Sequence, residues 1–305
     1  SASGMERWPG PLGHGVGDRM AGLAPGGFAP VFTMTMMGTS AIIIGAIIDP
    51  IAGLVPLFGM GCLMSAVFFG YFWRDPNRPI PRTPKILVSP ADGHAMFLRR
   101  ERAVARRPTQ EQRNSGLVEN DALTGEWFPE PLDNPLTFAT EQRYVPVAQG
   151  EERPTDVYRL AIFMSPLDVH VNRAPAACVV ERIEHRTGKG LRRGPFRAAY
   201  KKESEHNERV RSVHLLDNGV RIEMTQISGA IARTILPYSY EGDRLRRGQR
   251  LGMIRLGSRV DLRVPAEAYT SSIITAENHN TAHPKGMHLM AGTSVVFEPK
   301  AGEDE

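Results

Sequence analysis

From Phe28 to Trp73 the chain is almost wholly apolar, and Asp49 is its only charged residue. Asp49-Pro50 divides this run into two arms, each about the 20 residues that an apolar helix needs to cross the hydrocarbon core. The pattern predicts a two-helix hairpin that spans a membrane or dips into one leaflet. A buried helical pair in a soluble core is the competing reading. Arg7 and Arg19 precede the hairpin, and Arg74, Arg78, Arg82 and Lys85 follow it. A hairpin returns both ends to one side, and positive flanks favour the cytoplasmic side. The run is too long and too deeply split for a cleavable signal peptide.

After Trp73 the texture changes. The proline-rich stretch 75–84 reads as a linker. "KILVSPADG" reads as a short strand entering a turn. Residues 99–156 are polar, charged and weakly periodic, and are expected to form a long excursion, partly disordered. The "WFPEP" cluster at 127–131 is either a membrane-dipping tip or a packed-down contact. From Val157 onward, period-2 patterning dominates. Strands are expected over 157–164 and 178–186, and a hairpin over 210–229 around Asp217-Asn218-Gly219. "LGMIRLGSRVDLRVP" and "GTSVVFEP" complete the strand set, with Gly257-Ser258 falling inside the former, where glycine marks a bulge or a close backbone approach. "GDRLRRGQRLG" (242–252) and "KGMHLMAGTSVVF" (285–297) share a pattern of spaced glycines leading into a strand, the mark of an internal repeat. The expected architecture is mainly β (α+β): a tail over 1–27, the hairpin over 28–73 and a β domain over 74–305. Ser1–Gly4, ahead of Met5, read as a cloning remnant.

Composition narrows the partners. A formal net charge of +4 over 305 residues suits an anionic membrane or a phosphate-bearing ligand, and is too weak to argue for nucleic acid. The two cysteines, Cys62 and Cys178, have neither metal-type spacing nor a disulfide framework. No phosphate-binding loop, dinucleotide fingerprint, paired metal histidines or Gly-x-Ser-x-Gly elbow is present. Three turn-rich stretches at strand ends carry candidate chemistry: "SPADG" with Asp92, "SPLDVHVNRAP" with His170, and "LGS" with Ser258. A carboxylate, an imidazole and a hydroxyl are what an activated serine needs. Singly, each has a plain structural reading as a turn residue, a structural hydrogen-bonder and a bulge residue. A serine hydrolase and a non-enzymatic membrane-anchored β-barrel binding module therefore both stay open at this point.

The stretches "FWRDPNRPIP", "ILVSPADG", "IFMSPLDVHVNRAP", "KKESEHNER", "QISGAIAR" and "GMIRLGSRVDLRVP" follow one another in order across most of residues 72–265. In that order, after an apolar hairpin, they resemble the phosphatidylserine decarboxylase family, in its shorter prokaryotic branch. The resemblance implies a hammerhead or lipoyl-like β-barrel catalytic domain and a proenzyme that cuts itself between Gly257 and Ser258. Ser258 then becomes a covalent pyruvoyl group, the only cofactor implied, with no pyridoxal phosphate and no metal. It further implies decarboxylation of phosphatidylserine to phosphatidylethanolamine at the cytoplasmic face of a bacterial inner membrane, with archaetidylserine as a related substrate. The two cleavage fragments stay together, and a homodimer is the expected assembly. Asp92, His170 and Ser258 take the catalytic roles. Longer members carry His-x-x-His where this chain has His170 and Arg173, so His170 is assigned the base role alone. Arg173, Asn172, Gln226 and Asn207 are the candidate substrate contacts, Arg173 as a bidentate anion binder. Arg233 lies in a matching segment, and His94 reads as incidental.

Overall fold

The computed structural model describes residues 22–48, 53–101, 103–104, 118–120, 127–129, 143–144, 157–186, 207–229, 234–255, 258–273 and 286–300. The chain divides into two compact units, 1–77 and 78–305. In the first unit the apolar run forms α1 (Phe28–Ile48) and α2 (Leu54–Phe72). The Asp49-Pro50 break lies outside the described residues. Both helices are long and apolar enough to cross a membrane. Ile47, Met64 and Val67 are each more than 70% exposed, which a helical pair in a soluble core would not allow. The helices touch through small residues. A Cβ at Gly38 would lie 2.8 Å from the Gly59 carbonyl, and one at Gly45 would lie 2.4 Å from the Pro56 ring. Close approach at glycines is how helices associate where lipid removes the hydrophobic drive.

The second unit is built of strands, and those over 157–164, 178–186 and 210–227 fall where the alternation predicts them. They are β1 (Leu87–Val88), β2 (Gly93–Glu101), β3 (Ala103–Val104), β4 (Val118–Asn120), β5 (Trp127–Pro129) and β6 (Arg143–Tyr144). Then follow β7 (Val157–Met164), β8 (Val171–Arg173), β9 (Cys178–Arg186), β10 (Arg209–Leu216), β11 (Arg221–Ile227) and β12 (Ile235–Pro237). The last are β13 (Arg244–Leu245), β14 (Arg250–Ile254), β15 (Ser258–Pro265), β16 (Tyr269–Ser271), β17 (His288–Leu289) and β18 (Val295–Pro299). Most of the 99–156 excursion lies outside the described residues, as do the side chains of "WFPEP".

Eight strands form one sheet in the order β13-β9-β10-β11-β15-β7-β2-β17. Two three-stranded sheets, β1-β18-β16 and β8-β14-β12, flank the site. A closed barrel is not among the sheets the described residues form. The two small sheets are pseudo-equivalent, and their hydrogen bonds repeat. Val88 N–H donates to Pro175 O and Arg173 N–H to Pro90 O; Gly292 N–H donates to Ser89 O and Gly248 N–H to Ala174 O. The repeated glycine pattern in the sequence thus corresponds to two matching turns. Gly248 and Gly292 both have left-handed φ, 73° and 77°. Both turns close on Ile80, whose Cδ1 lies 2.3 Å and 3.1 Å from where their Cβ atoms would be. Only glycine fits the first of these positions, on both counts.

Ser258 does not lie in a strand interior. β14 ends at Ile254 in a three-stranded sheet, and β15 starts at Ser258 in the eight-stranded sheet. The chain changes sheets across 255–257, and Leu256 and Gly257 lie outside the described residues.

A polar string runs through the core of β9, β10 and β11. Cys178 Sγ lies 3.6 Å from His214 Nδ1, and His214 Nε2 lies 2.8 Å from Ser212 Oγ. The Ser212 hydroxyl donates to Met224 O, so it accepts from His214 Nε2–H, and His214 Nδ1 accepts from the Cys178 thiol. Burial pushes the thiol up to about 12, with Asp217 adding to it, which keeps it protonated. Burial pushes His214 down to about 4 from its ordinary 6.5. Between those two values the unfolded chain binds a proton that the folded chain refuses. Stability therefore falls as the pH drops from 6.5 towards 4, by on the order of 3 kcal/mol. Denaturant midpoints measured at about pH 7 and about pH 4.5 should show this loss. A His214→Gln variant, less stable at neutral pH, should lose most of the difference; an unchanged pH dependence in that variant would remove His214 as its source.

Candidate active site

Ser258 opens β15, is fully buried, and pairs with Met164 at the end of β7. Its Oγ donates to Met164 Sδ at 3.4 Å. A thioether is a weak acceptor, so the hydroxyl is held in place without a strong bond to break. Asn172 Nδ2 approaches the same sulfur at 3.6 Å, and Gln226 Nε2 donates to Asn172 Oδ1 at 2.7 Å. Three of the residues expected from sequence, Ser258, Asn172 and Gln226, thus lie on one buried string. Met164, which joins them, was not anticipated. It read as one more apolar strand residue, and nothing in the sequence distinguishes it.

His170 is fully buried just ahead of β8. Its carbonyl accepts from Ile254 N–H at 3.2 Å, which ties it to the strand leading into the Gly-Ser junction. Its Nδ1 lies 2.8 Å from the Asp168 carbonyl oxygen. A carbonyl only accepts, so the ring carries a proton on Nδ1, and in the neutral form Nε2 holds the lone pair. The backbone contact thus fixes the tautomer of the ring.

Asp92 is 4% exposed in the "SPADG" turn. Its Oδ2 pairs with Arg78 Nη2 at 2.5 Å, and its Oδ1 accepts from Ala291 N–H at 2.7 Å. The carboxylate is therefore directed at Arg78 and at the turn following β17. Its loop meets the rest of the site through Gly93, where a Cβ would lie 2.0 Å from the Phe163 carbonyl oxygen. Arg173 is buried and donates from Nη1 to Gly248 O at 3.0 Å. Asn207 is buried and donates to Ser228 O at 2.8 Å. Gly257, the other half of the expected cleavage site, and Arg233 lie outside the described residues.

Two further side chains reach this region. Asp168 Oδ2 accepts from Ser165 N–H at 2.7 Å, and Asp168 Oδ1 lies 3.0 Å from His288 Nε2. Burial pushes the Asp168 carboxyl up, but the bonds from His288 and Ser165 outweigh it and hold the group below its ordinary value. Asp168 was not singled out from sequence, although a Ser-Pro-x-Asp turn is a signal that could have found it. His288 was not, because only β17 pairing with β2 brings it here.

Beneath Ser258, β15 is pinned by charge. Asp261 is buried and takes Arg259 Nε on Oδ1 and Arg259 Nη2 on Oδ2, each at 2.6 Å. Arg159 of β7 donates to Oδ2 through both Nε and Nη2. Both guanidinium carbons stand over the Phe97 ring, at 5.6 Å for Arg159 and 5.4 Å for Arg259. Burial raises the Asp261 carboxyl, but the two arginines outweigh that and hold it ionised, below its ordinary value. Removing the carboxylate strands two buried cations. Asp261→Asn should cost about 3–5 kcal/mol, read as a lower denaturant midpoint. A loss below about 1 kcal/mol would show that the cluster is not what holds β15.

The sequence model of the family described as phosphatidylserine decarboxylase matches residues 66–296. A putative archaetidylserine decarboxylase proenzyme of Methanopyrus kandleri is 33% identical over 239 residues, 78% of this chain and 86% of the relative. A phosphatidylserine decarboxylase proenzyme of Erythrobacter litoralis is 34% identical over 225 residues, 74% of this chain and 70% of the relative. One from Streptomyces griseus is 53% identical over 108 residues, 35% of this chain and 46% of the relative.

Proposed function

The chain belongs to the phosphatidylserine decarboxylase family, and from that premise we propose that it cuts itself before Ser258 and then converts phosphatidylserine to phosphatidylethanolamine. The observation that carries this reading is the setting of Ser258: fully buried, weakly held by a thioether, and placed where the chain passes from one sheet to another. Gly257 has no side chain to block attack on its carbonyl. Ser258 Oγ adds to that carbonyl and the C–N bond breaks, so the peptide becomes an ester and the Ser258 nitrogen a free amine. Elimination then expels Gly257 as a carboxylate and leaves a dehydroalanine, which takes up water and releases ammonia to give the pyruvoyl group. A dry, weakly bonded position fits such a ketone. When formed, it supplies the electron sink for loss of carbon dioxide, the task pyridoxal phosphate performs elsewhere.

The other residues supply proton transfer and position. His170 Nε2 takes the Ser258 hydroxyl proton in maturation and holds a proton for the substrate α-carbon in turnover. Asp92 is the fixed negative charge of the site, set by Arg78 and Ala291. Asn172 and Gln226 line the wall next to Ser258 and offer amide groups to the serine head group. Arg173 and Asn207, expected as substrate contacts, hold the carbonyls of Gly248 and Ser228 and so brace the segments around the site. The repeated turns about Ile80 support the hammerhead-like reading of the catalytic unit. The hairpin's exposed apolar faces and its basic flank support attachment to the cytoplasmic face of a membrane.

Ser258→Ala should stay full length on a denaturing gel and lack decarboxylase activity. His170→Ala should slow cutting, by about 100-fold or more as expected when a general base is lost. Two fragments from the Ser258→Ala chain would refute the self-cutting mechanism. Decarboxylation by the uncut chain would refute the dependence of activity on the cut.

A further inference from the structure

His94, Asp168 and His288 come from three separate elements: the start of β2, the turn after β7, and β17. His94 and His288 are directly paired across β2 and β17, with ring centroids 4.9 Å apart, edge to face. His288 Nε2 and Asp168 Oδ1 are 3.0 Å apart, and one donor atom from each of the three residues lies within 4.8 Å of the others. A metal held at about 2.0–2.2 Å by nitrogen and oxygen donors needs them about 3–3.5 Å apart. The Asp168–His288 pair already has that spacing. The His288 ring, 44% exposed by side chain, has room to turn towards His94. Asp168 is also oriented from behind, with Oδ2 fixed by Ser165 N–H and Oδ1 turned to the site. Ligating carboxylates are commonly held in this way.

We propose that His94, Asp168 and His288 bind one divalent transition-metal ion of the zinc class. Two imidazoles and a carboxylate suit a borderline metal and leave outward positions for water. The metal is no part of the decarboxylation chemistry. Its effect is mechanical. β17 is an edge strand, joined to β2 by the pairs His288–His94 and Leu289–Gly93. The turn that follows carries Ala291, whose N–H fixes Asp92. A bound ion fastens that strand to the sheet and so steadies the Asp92 loop. If the chain is cut before Ser258, His288 belongs to one fragment and His94 and Asp168 to the other, so the ion also clasps the two together. That last consequence rests on the proposed self-cutting. The site itself does not, since its residues meet in the uncut chain.

The test uses the full-length protein and its uncut Ser258→Ala form, both stripped with chelator and titrated with zinc by calorimetry. Cobalt serves as the spectroscopic probe. Both forms should take up one zinc per chain and unfold at higher temperature with it. Cobalt should give visible bands without the intense thiolate absorption that cysteine ligands produce. His94→Ala and His288→Asn should each weaken zinc by about 100-fold or more, since even outer-shell changes cost 10–100-fold, and should abolish the thermal shift. No saturable zinc binding by either form, or unchanged affinity in both histidine variants, would overturn the proposal. Zinc binding by the uncut Ser258→Ala protein, weakened when His94 or His288 is replaced in that same protein, would support the site whatever the fate of the cleavage mechanism.

Discussion

A single buried carboxylate sets the position of Ser258. Asp261 lies between Arg159 on β7 and Arg259 on β15, and Arg259 is the residue immediately after Ser258. Burying three charges is expensive, and only their mutual pairing offsets it. The pairing is satisfied in one register: Ser258 opposite Met164, Asp261 opposite Ala161, Arg263 opposite Arg159. A slip by one residue would turn Asp261 to the other face and leave both guanidiniums without it. A second cluster acts alongside, with Glu223 of β11 between Arg263 and Arg211 at 3.2 Å and 2.8 Å. β15 is thereby locked to both neighbours, and the serine at its head is placed by the sheet rather than by a loop.

The other half of the site is placed by the pseudo-symmetric turns. The "SPADG" loop and the "SPLDVHVNRAP" segment hydrogen-bond to each other through Val88, Pro90, Arg173 and Pro175. Each also receives a glycine-led turn from the C-terminal part of the chain. This arrangement brings Asp92, His170 and the Gly-Ser junction to one end of the eight-stranded sheet, although 166 positions separate the first from the last. A chain cut before Ser258, as proposed, would stay assembled for the same reason. β15 is inserted between β7 and β11, and β18 between β1 and β16, so the C-terminal segment is woven into both sheets.

Much of this was legible in the sequence. The Asp217-Asn218-Gly219 hairpin, the strands over 157–164 and 178–186, the apolar helices and the glycine-led repeat all follow from local rules of turn chemistry and periodicity. Ser258, His170 and Asp92 were legible as chemistry at strand ends, and their family resemblance pointed to one site. What was not legible depended on pairing. Arg259, Asp261 and Arg263 alternate as the polar face of a solvated strand does, yet all three are buried, because their counter-charges arrive from β7 and β11. The Gly-Ser pair read as an irregularity within one strand because a change of sheet leaves no periodic signal. His94 read as incidental because its partner is almost two hundred residues away, at His288.

In the proposed maturation Ser258 ceases to be a serine. Intact-mass measurement of the smaller fragment tests it most directly, because it reports the cut and the chemistry of the new terminus together. The fragment should run from residue 258 to Glu305, be lighter by one ammonia than the unmodified segment and be blocked to amine-directed sequencing. Borohydride should add two hydrogens to it. A fragment of unmodified mass with a free serine amine, in a preparation that decarboxylates phosphatidylserine, would contradict the account.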